Sequence, residues 1–349
     1  MRLPEGVCSM SGVLKRQAAK TEFPRRTGRR ILLLILFGAL SGAAGILSMM
    51  KGSVFIPFPE IWSVFQGGSA GVHEQILWNI RLPRTIVAAL TGADLALSGA
   101  ILQAIMKNPL ADPHIIGVSS GAGLMGILIM LAFPQFGWLI TPAAFLGAMG
   151  AAVLIYLLAW KNGIQPVRII LAGVAVSAFF GAGISALLIF YSDRVHNALM
   201  WMVGGLSARS WPHVDLLWPY TLAGLILALP AARHLNVLQL GDELARGLGL
   251  HVERTRLFLT AVAALLAASA VSVVGLLGFV GLIVPHIARL MIGSDYRFLL
   301  PASVLLGAAV VMLSDIFART AFAPVELPVG IIMAALGAPF FLFLLRREL

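Results

Sequence analysis

Few side chains in this sequence have chemistry beyond packing, and most of those stand in apolar surroundings. Asp94 is the only charged residue between Arg84 and Lys107. A carboxyl within such a run is costly in lipid and marks a functional candidate facing a bundle interior. No Lys or Arg in the apolar runs is an evident partner. Asp94 therefore reads equally as a protonated or hydrated structural acid and as part of a ligand pathway. His286 follows Pro285 in another apolar run, and a lone imidazole suits a hydrogen-bonded helix end better than a metal site. Arg81, Arg84 and Arg319 stand at the ends of apolar runs. There they can snorkel to headgroups or pair bidentately with carboxylates of another protein.

The reactions these residues exclude are as informative. The sequence has no Gly-rich Lys-Ser/Thr nucleotide loop, no serine elbow, no zinc helix and no carboxylate pair placed for acid–base work. Its one cysteine, Cys8, excludes an intrachain disulfide or a cysteine metal cluster. The chain reads as a non-enzyme with no cofactor or metal of its own. Anything pumped through it draws energy from elsewhere.

The elements that carry these residues are membrane helices. Of 349 residues, 59% are hydrophobic and 11% charged, against about 25% charged in soluble domains. Repeated apolar runs of roughly 20 residues predict an all-α, polytopic integral membrane protein. The net charge of +10 does not point to nucleic acid, because its distribution follows the positive-inside pattern. Eight Lys/Arg fall in the first 30 residues, which read as a disordered basic cytoplasmic tail. The apolar run Ile31–Met50 is too long for a signal peptide core and reads as an uncleaved first span.

Nine spans are evident, at about 31–50, 84–106, 114–133, 138–160, 168–190, 214–232, 257–277, 298–316 and 329–345. Basic residues at both termini require an even number. The missing span lies between Arg256 and Arg289, where 32 residues carry no formal charge, more than one crossing needs at about 1.5 Å per residue. Gly275, Gly278, Gly281 and Pro285 punctuate this stretch, predicting a helix followed by a short returning helix, with broken backbone inside protein or beside a cavity. Ten spans put 19 of the 25 Lys/Arg inside. Gly92, Gly99, Gly147, Gly150, Gly173, Gly181 and Gly183 predict close helix packing. The long inner segment, about 236–252, is amphipathic and broken by Gly247 and Gly249. Leu240, Leu244 and Leu248 beside Asp242 and Glu243 suit a soluble protein partner better than anionic lipid.

These residues taken together resemble the FecCD permeases, the membrane subunits of type II ABC importers for ferric siderophores, haem and vitamin B12. The resemblance rests on Arg81-Leu-Pro-Arg84, Leu97-Ser-Gly-Ala100, Gln103, Asn108-Pro-Leu-Ala-Asp-Pro113, Gly117-Val-Ser-Ser-Gly-Ala122 and Leu171-Ala-Gly173. It continues through Leu240-Gly-Asp-Glu243, Leu248-Gly249, Gly278-Phe-Val-Gly-Leu-Ile-Val-Pro-His286, Asp315, Glu326-Leu-Pro-Val-Gly330 and Leu336-Gly-Ala-Pro339. The motifs run in order from about 31 to 345, taken as the permease domain, with 346–349 as a cytoplasmic C-terminus.

The resemblance implies a ten-span permease, paired with itself or a homologous chain, two ATP-binding subunits that hold ATP and Mg, and an extracytoplasmic substrate-binding protein. It implies that Leu240, Gly241, Asp242, Glu243, Leu244, Ala245, Leu248 and Gly249 couple to the ATPase, and that Arg81, Arg84 and Arg319 meet acidic residues of the binding protein. Asn108 and Leu110 match a cytoplasmic gate. A second gate falls at Pro166 and Val167, where the vitamin B12 member has small hydroxyl residues. Asp94 stands where the family has a small apolar residue. The implied activity is inward passage of a ferric siderophore across a bacterial plasma membrane by alternating access, with both termini cytoplasmic. Haem or cobalamin is the alternative cargo. A gradient-driven carrier using Asp94 as its ion site is the alternative of another class.

Overall fold

The computed structural model describes residues 23–68, 71–160 and 166–348. The basic tail up to residue 22 and Lys161 lie outside the described residues. Ten helices carry the apolar runs: α1 (Phe23–Met50), α2 (Leu82–Met106), α3 (Val118–Ala132), α4 (Ile140–Ala159), α5 (Pro166–Phe190), α6 (Trp211–Ala228), α7 (Val252–Val274), α8 (Val280–Ile292), α9 (Tyr296–Thr320) and α10 (Val329–Glu348). Among the described residues, six segments are singly long and apolar enough to cross a membrane. α6 and the following Ala232–Gln239 helix form a pair bent by 56°, and α3, α8 and α10 are shorter apolar helices.

The expected ten crossings thus have ten helical counterparts, with several boundaries corrected. α1 begins at Phe23, so the last residues of the basic tail are helical. α10 runs to Glu348, through residues expected to lie beyond the span. The third helix starts at Val118 because Pro113–Ile116 forms a 3-10 turn before it. Short helices at Phe58–Phe65 and Val195–Val203 had no periodic signal long enough to predict them.

α2 is the hub. It packs against α9, α7, α8 and α6, and nearly all of its residues are buried. A helix apolar all round belongs inside protein or lipid, and here the protein surrounds it. Glycines set the closest crossings: a Cβ on Gly92 would meet the backbone of Gly307, one on Gly99 that of Gly281, and one on Gly121 that of Gly147. Backbone approach of this kind is what small residues provide between helices in lipid. Gly150 and Gly181, by contrast, face open space.

Polar contacts sort the helix ends onto two faces. On one, Ser48 near the end of α1, Thr85 and Arg84 at the start of α2, and Asp315 and Arg319 near the end of α9 are joined. On the other, Arg30 of α1 bonds the Ile292 carbonyl ending α8. There Asp295 caps α9 and takes a bond from Asn236 of the Ala232–Gln239 helix. α7 ends at Val274, and non-helical backbone leads to α8 through Phe279, which is left-handed at φ 67°. This is the helix, break and short returning helix read from the glycine and proline spacing.

Candidate functional site

The break between α7 and α8 borders a cavity of about 850 Å³. One wall comes from the turn after α2, with Asn108, Leu110, Asp112 and His114. Another comes from Gly278, Phe279 and Leu282, and a third from Ile331, Ala334 and Phe341 of α10. Its lining is mostly apolar, as ligand cavities generally are. Two buried polar atoms lie behind the walls without a hydrogen-bond partner among the described residues, Asp112 Oδ2 and His114 Nε2.

The turn itself follows from how α2 ends. Lys107 is left-handed, at φ 50°. Its N–H bonds the Ala104 carbonyl at 3.3 Å while that of Asn108 bonds the Gln103 carbonyl at 3.2 Å. This is the Schellman arrangement, usually built on Gly; a residue with a Cβ there costs roughly 1–2 kcal/mol. Asn108 then folds the next residues over its own side chain, its Oδ1 accepting from the Leu110 N–H at 2.9 Å. Gln103, one turn earlier, donates to the carbonyls of Gly281 and Leu282 and accepts from Arg289. Its role as a tie between α2 and α8 was not legible from sequence.

Of the expected gate residues, Asn108 and Leu110 do line the cavity. Val167 is exposed, and the α5 side chain on the cavity wall is Ile170. Pro166 opens α5, and its side chain lies outside the described residues.

The segment expected to meet a soluble partner folds as two short helices, Ala232–Gln239 and Asp242–Gly247, hinged at Gly241 with φ 104°. Leu240, Leu244 and Leu248 are 55%, 63% and 65% exposed, while Ala245 is buried against the bundle. Glu243 and Gly249 are exposed too, and Gly241 and Asp242 half-buried. Leucines at every fourth position pointing away from the protein form an apolar stripe among charges, as on a docking helix. Asp242 faces inward. Its carboxylate takes Arg256 bidentately at 2.8 and 2.9 Å and Lys107 at 2.8 Å. Burial pushes this carboxyl up, but the bonds and charges of Lys107 and Arg256 outweigh it and hold it below the ordinary range.

On the opposite face the reading of three outward guanidiniums is corrected. Arg81, Arg84 and Arg319 are 3%, 7% and 5% exposed, each turned into the protein. Arg81 bonds the carbonyls of Met49, Met50 and Val54. Arg319 bonds the Ser48 carbonyl and hydroxyl at 2.6 and 2.8 Å. Together they satisfy carbonyls at the end of α1 that a helix leaves open, with charge suited to its dipole. Arg84 pairs with Asp315 and Glu326. The sequence signal for this was an acid, Asp315, near the end of one apolar run and an arginine at the start of another. In lipid such groups must find each other.

Asp94 is fully buried at the junction of α2, α6 and α7 and does not line the cavity. Its Oδ2 accepts from Thr221 at 2.9 Å and weakly from Ser269 at 3.4 Å, and Oδ1 has no hydrogen-bond partner among the described residues. His286 packs edge-on to Phe340. No group of three or more His, Cys, Asp or Glu able to hold a metal occurs among the described residues.

The comparisons with known proteins agree with this architecture. A permease of an Fe(3+)-citrate import system from Bacillus subtilis, YfmE, is 39% identical over 325 residues, covering 93% of this chain and 97% of the relative. The cobalamin import permease BtuC of Halobacterium salinarum is 43% identical over 297 residues, 83% of this chain and 80% of the relative. A solved structure described as an inward-facing conformation of a metal-chelate type ABC transporter superposes with a TM-score of 0.81 at 30% identity, covering 90% of this chain and 98% of that one. The model of the FecCD transport family matches residues 30–347, and the chain belongs to that family.

Proposed function

We propose that this chain is the permease of an ATP-driven importer in a bacterial plasma membrane. It passes a ferric siderophore or similar iron chelate inward by alternating access around the cavity beside Phe279. The observation that carries the reading is the exposure of Leu244 on the inner-face Asp242–Gly247 helix, with Leu240 and Leu248 exposed at its two ends, in a chain with no nucleotide loop. A separate ATP-binding subunit, holding ATP and Mg, covers these leucines. Asn108 and Leu110 form the inner gate with the start of α5, residues Pro166 and Val167, next to Ile170. The face carrying the helix ends at Lys107, Arg256 and Asp295 is cytoplasmic, as are both termini. A second copy or a homologous permease completes the pathway. The binding protein docks on the outer face, where Arg81, Arg84 and Arg319 organise the helix ends rather than offer free charges.

The iron chelate is favoured by the Fe(3+)-citrate relative. The cobalamin relative, at 43% identity, supports a tetrapyrrole-like cargo as the second reading. The deciding experiment reconstitutes the permease with its ATPase and binding protein in vesicles and supplies radiolabelled ferric citrate, a ferric hydroxamate, haem or cobalamin. ATP-dependent uptake of an iron chelate is expected. Uptake driven by an ion gradient without ATPase would refute the reading. Leu244→Arg should abolish co-purification with the ATPase, and retained association would remove the docking assignment.

A further inference from the structure

The Asp242 carboxylate joins the exposed Asp242–Gly247 helix to the walls of the cavity. It bonds Lys107 at 2.8 Å, and Lys107 is followed directly by the turn whose Asn108, Leu110 and Asp112 line the cavity. Four residues before Lys107, Gln103 donates to the carbonyls of Gly281 and Leu282 at 3.3 and 3.2 Å, beside Phe279 on the facing wall. Two of the three walls therefore hang from the inner end of α2, which is tied to the Asp242–Gly247 helix by the Asp242–Lys107 ion pair and to the preceding helix by Gln239, whose amide donates to the Ala104 carbonyl at 3.5 Å. The same carboxylate takes the buried Arg256 bidentately. This fixes its orientation against the first turn of α7. Lys107 occupies a left-handed helix-ending position that favours Gly or Asn. A side chain is kept there despite the strain, and this one reaches Asp242.

We infer that Asp242 and Lys107 are positioning residues that transmit displacement of the Asp242–Gly247 helix through the end of α2 to the cavity walls. The inference rests on reading that helix as the ATPase contact. A rigid, partly desolvated pair moves its two elements as one body. Without it, the Asp242–Gly247 helix shifts while the 108–112 turn stays. Arg256 then keeps the helix folded, so transmission is lost without loss of docking.

The test uses the assembled transporter in vesicles, in a Cys8→Ser background carrying Ile331→Cys as a thiol reporter on the cavity wall. Labelling is compared with and without ATP and vanadate. Lys107→Met, which lies off the docking helix and is partly exposed, should still assemble and hydrolyse ATP. The nucleotide-dependent change in Ile331→Cys labelling should fall by at least about fivefold, the lower range of measured site-to-site coupling. Lys107→Arg should restore it. Asp242→Asn, which also weakens the Arg256 contacts, should lose at least as much as Lys107→Met, and the double variant should be no worse than Asp242→Asn alone, because Lys107 acts through that carboxylate. A full nucleotide-dependent change in Lys107→Met would overturn the inference. So would loss of ATPase co-purification in that variant, which would make the pair a clamp for assembly. Persistent ATPase association in Leu244→Arg would instead sink the docking reading, and is scored separately.

Discussion

Arg84 and Asp315, 231 residues apart, form a two-pronged ion pair at one end of the bundle, with Nη2 to Oδ1 at 2.9 Å and Nε to Oδ2 at 3.1 Å. Both are buried, at 7% and 1% exposure. Arg84 also reaches Glu326, and Arg319 stands 3.7 Å from Asp315. The pair ties the start of α2 to the end of α9.

Removing Arg84 leaves the buried Asp315 with only the longer contact to Arg319 at 3.7 Å. Arg84→Met should destabilise the chain by up to about 3–5 kcal/mol, the cost of a buried charge that has lost its main partner. Thermal melts in detergent would show it. Arg84→Met with Asp315→Leu should recover much of that loss. If Arg84→Met melted like the wild type while losing binding-protein affinity, the guanidinium would be a docking group after all.

Asp94 should behave as a neutral side chain. A charged carboxylate without a cationic partner is expensive in a protein interior within lipid. Asp94→Asn keeps an oxygen for the Thr221 hydroxyl, so folding and ATP-dependent uptake should be retained. Asp94→Lys should not fold. Infrared difference spectra of the two proteins should show a protonated carboxyl band lost in Asp94→Asn. Uptake abolished by Asp94→Asn with folding intact would revive a gradient-coupled role.

Gly99 leaves no room for a side chain, because a Cβ there would run into the backbone of Gly281. Gly99→Ala should cost roughly 1–3 kcal/mol, as overpacking does. It should also lower uptake more than ATPase assembly, since Gly281 precedes the cavity-lining Leu282. Gly150→Ala, facing open space, should be silent in both assays and serves as the control.

Asp295 gives the pH dependence. Hydrogen bonds from the Arg297 side chain, opposed by burial and joined by Asn236, hold its carboxyl at about 2. The folded value lies below the unfolded one of about 3.9. The stabilisation is therefore complete above about pH 5 and is lost as pH falls through 4 toward 2. Asp295→Ala should lower stability by about 1 kcal/mol through loss of the α9 cap. The gap between variant and wild-type melting should stay constant from pH 8 to 5 and narrow below 4. A gap that widened on acidification would contradict this assignment.

Much of the architecture was legible because lipid imposes a simple code. A run of about 20 apolar residues must be a helix, and the charges between runs report its direction. The paired helix and short return at 257–292 followed from length and four punctuating residues. The Leu240–Leu248 stripe was readable because its period is helical and its surroundings polar. What escaped was pairing over long separations. Arg84 looked outward because its partners, Asp315 and Glu326, come more than 200 residues later. Nothing in local sequence says that two membrane-face charges neutralise one another. The ties of Gln103 to α8 and of Asp242 to Lys107 were hidden for the same reason. Both depend on which helix ends share a face, which single-chain periodicity does not carry.

The burial of α2 on all sides changes what its sequence is free to encode. A helix at the lipid boundary must stay greasy, whereas one solvated entirely by neighbouring helices answers only to their shapes and hydrogen-bonding groups. Arg84, Asp94, Ser98 and Gln103 can all reside on one crossing because each of them is buried among neighbouring helices. New polar function in this scaffold has its natural home on that inner rod, and α6, α7, α8 and α9, which pack against it, act as its insulation.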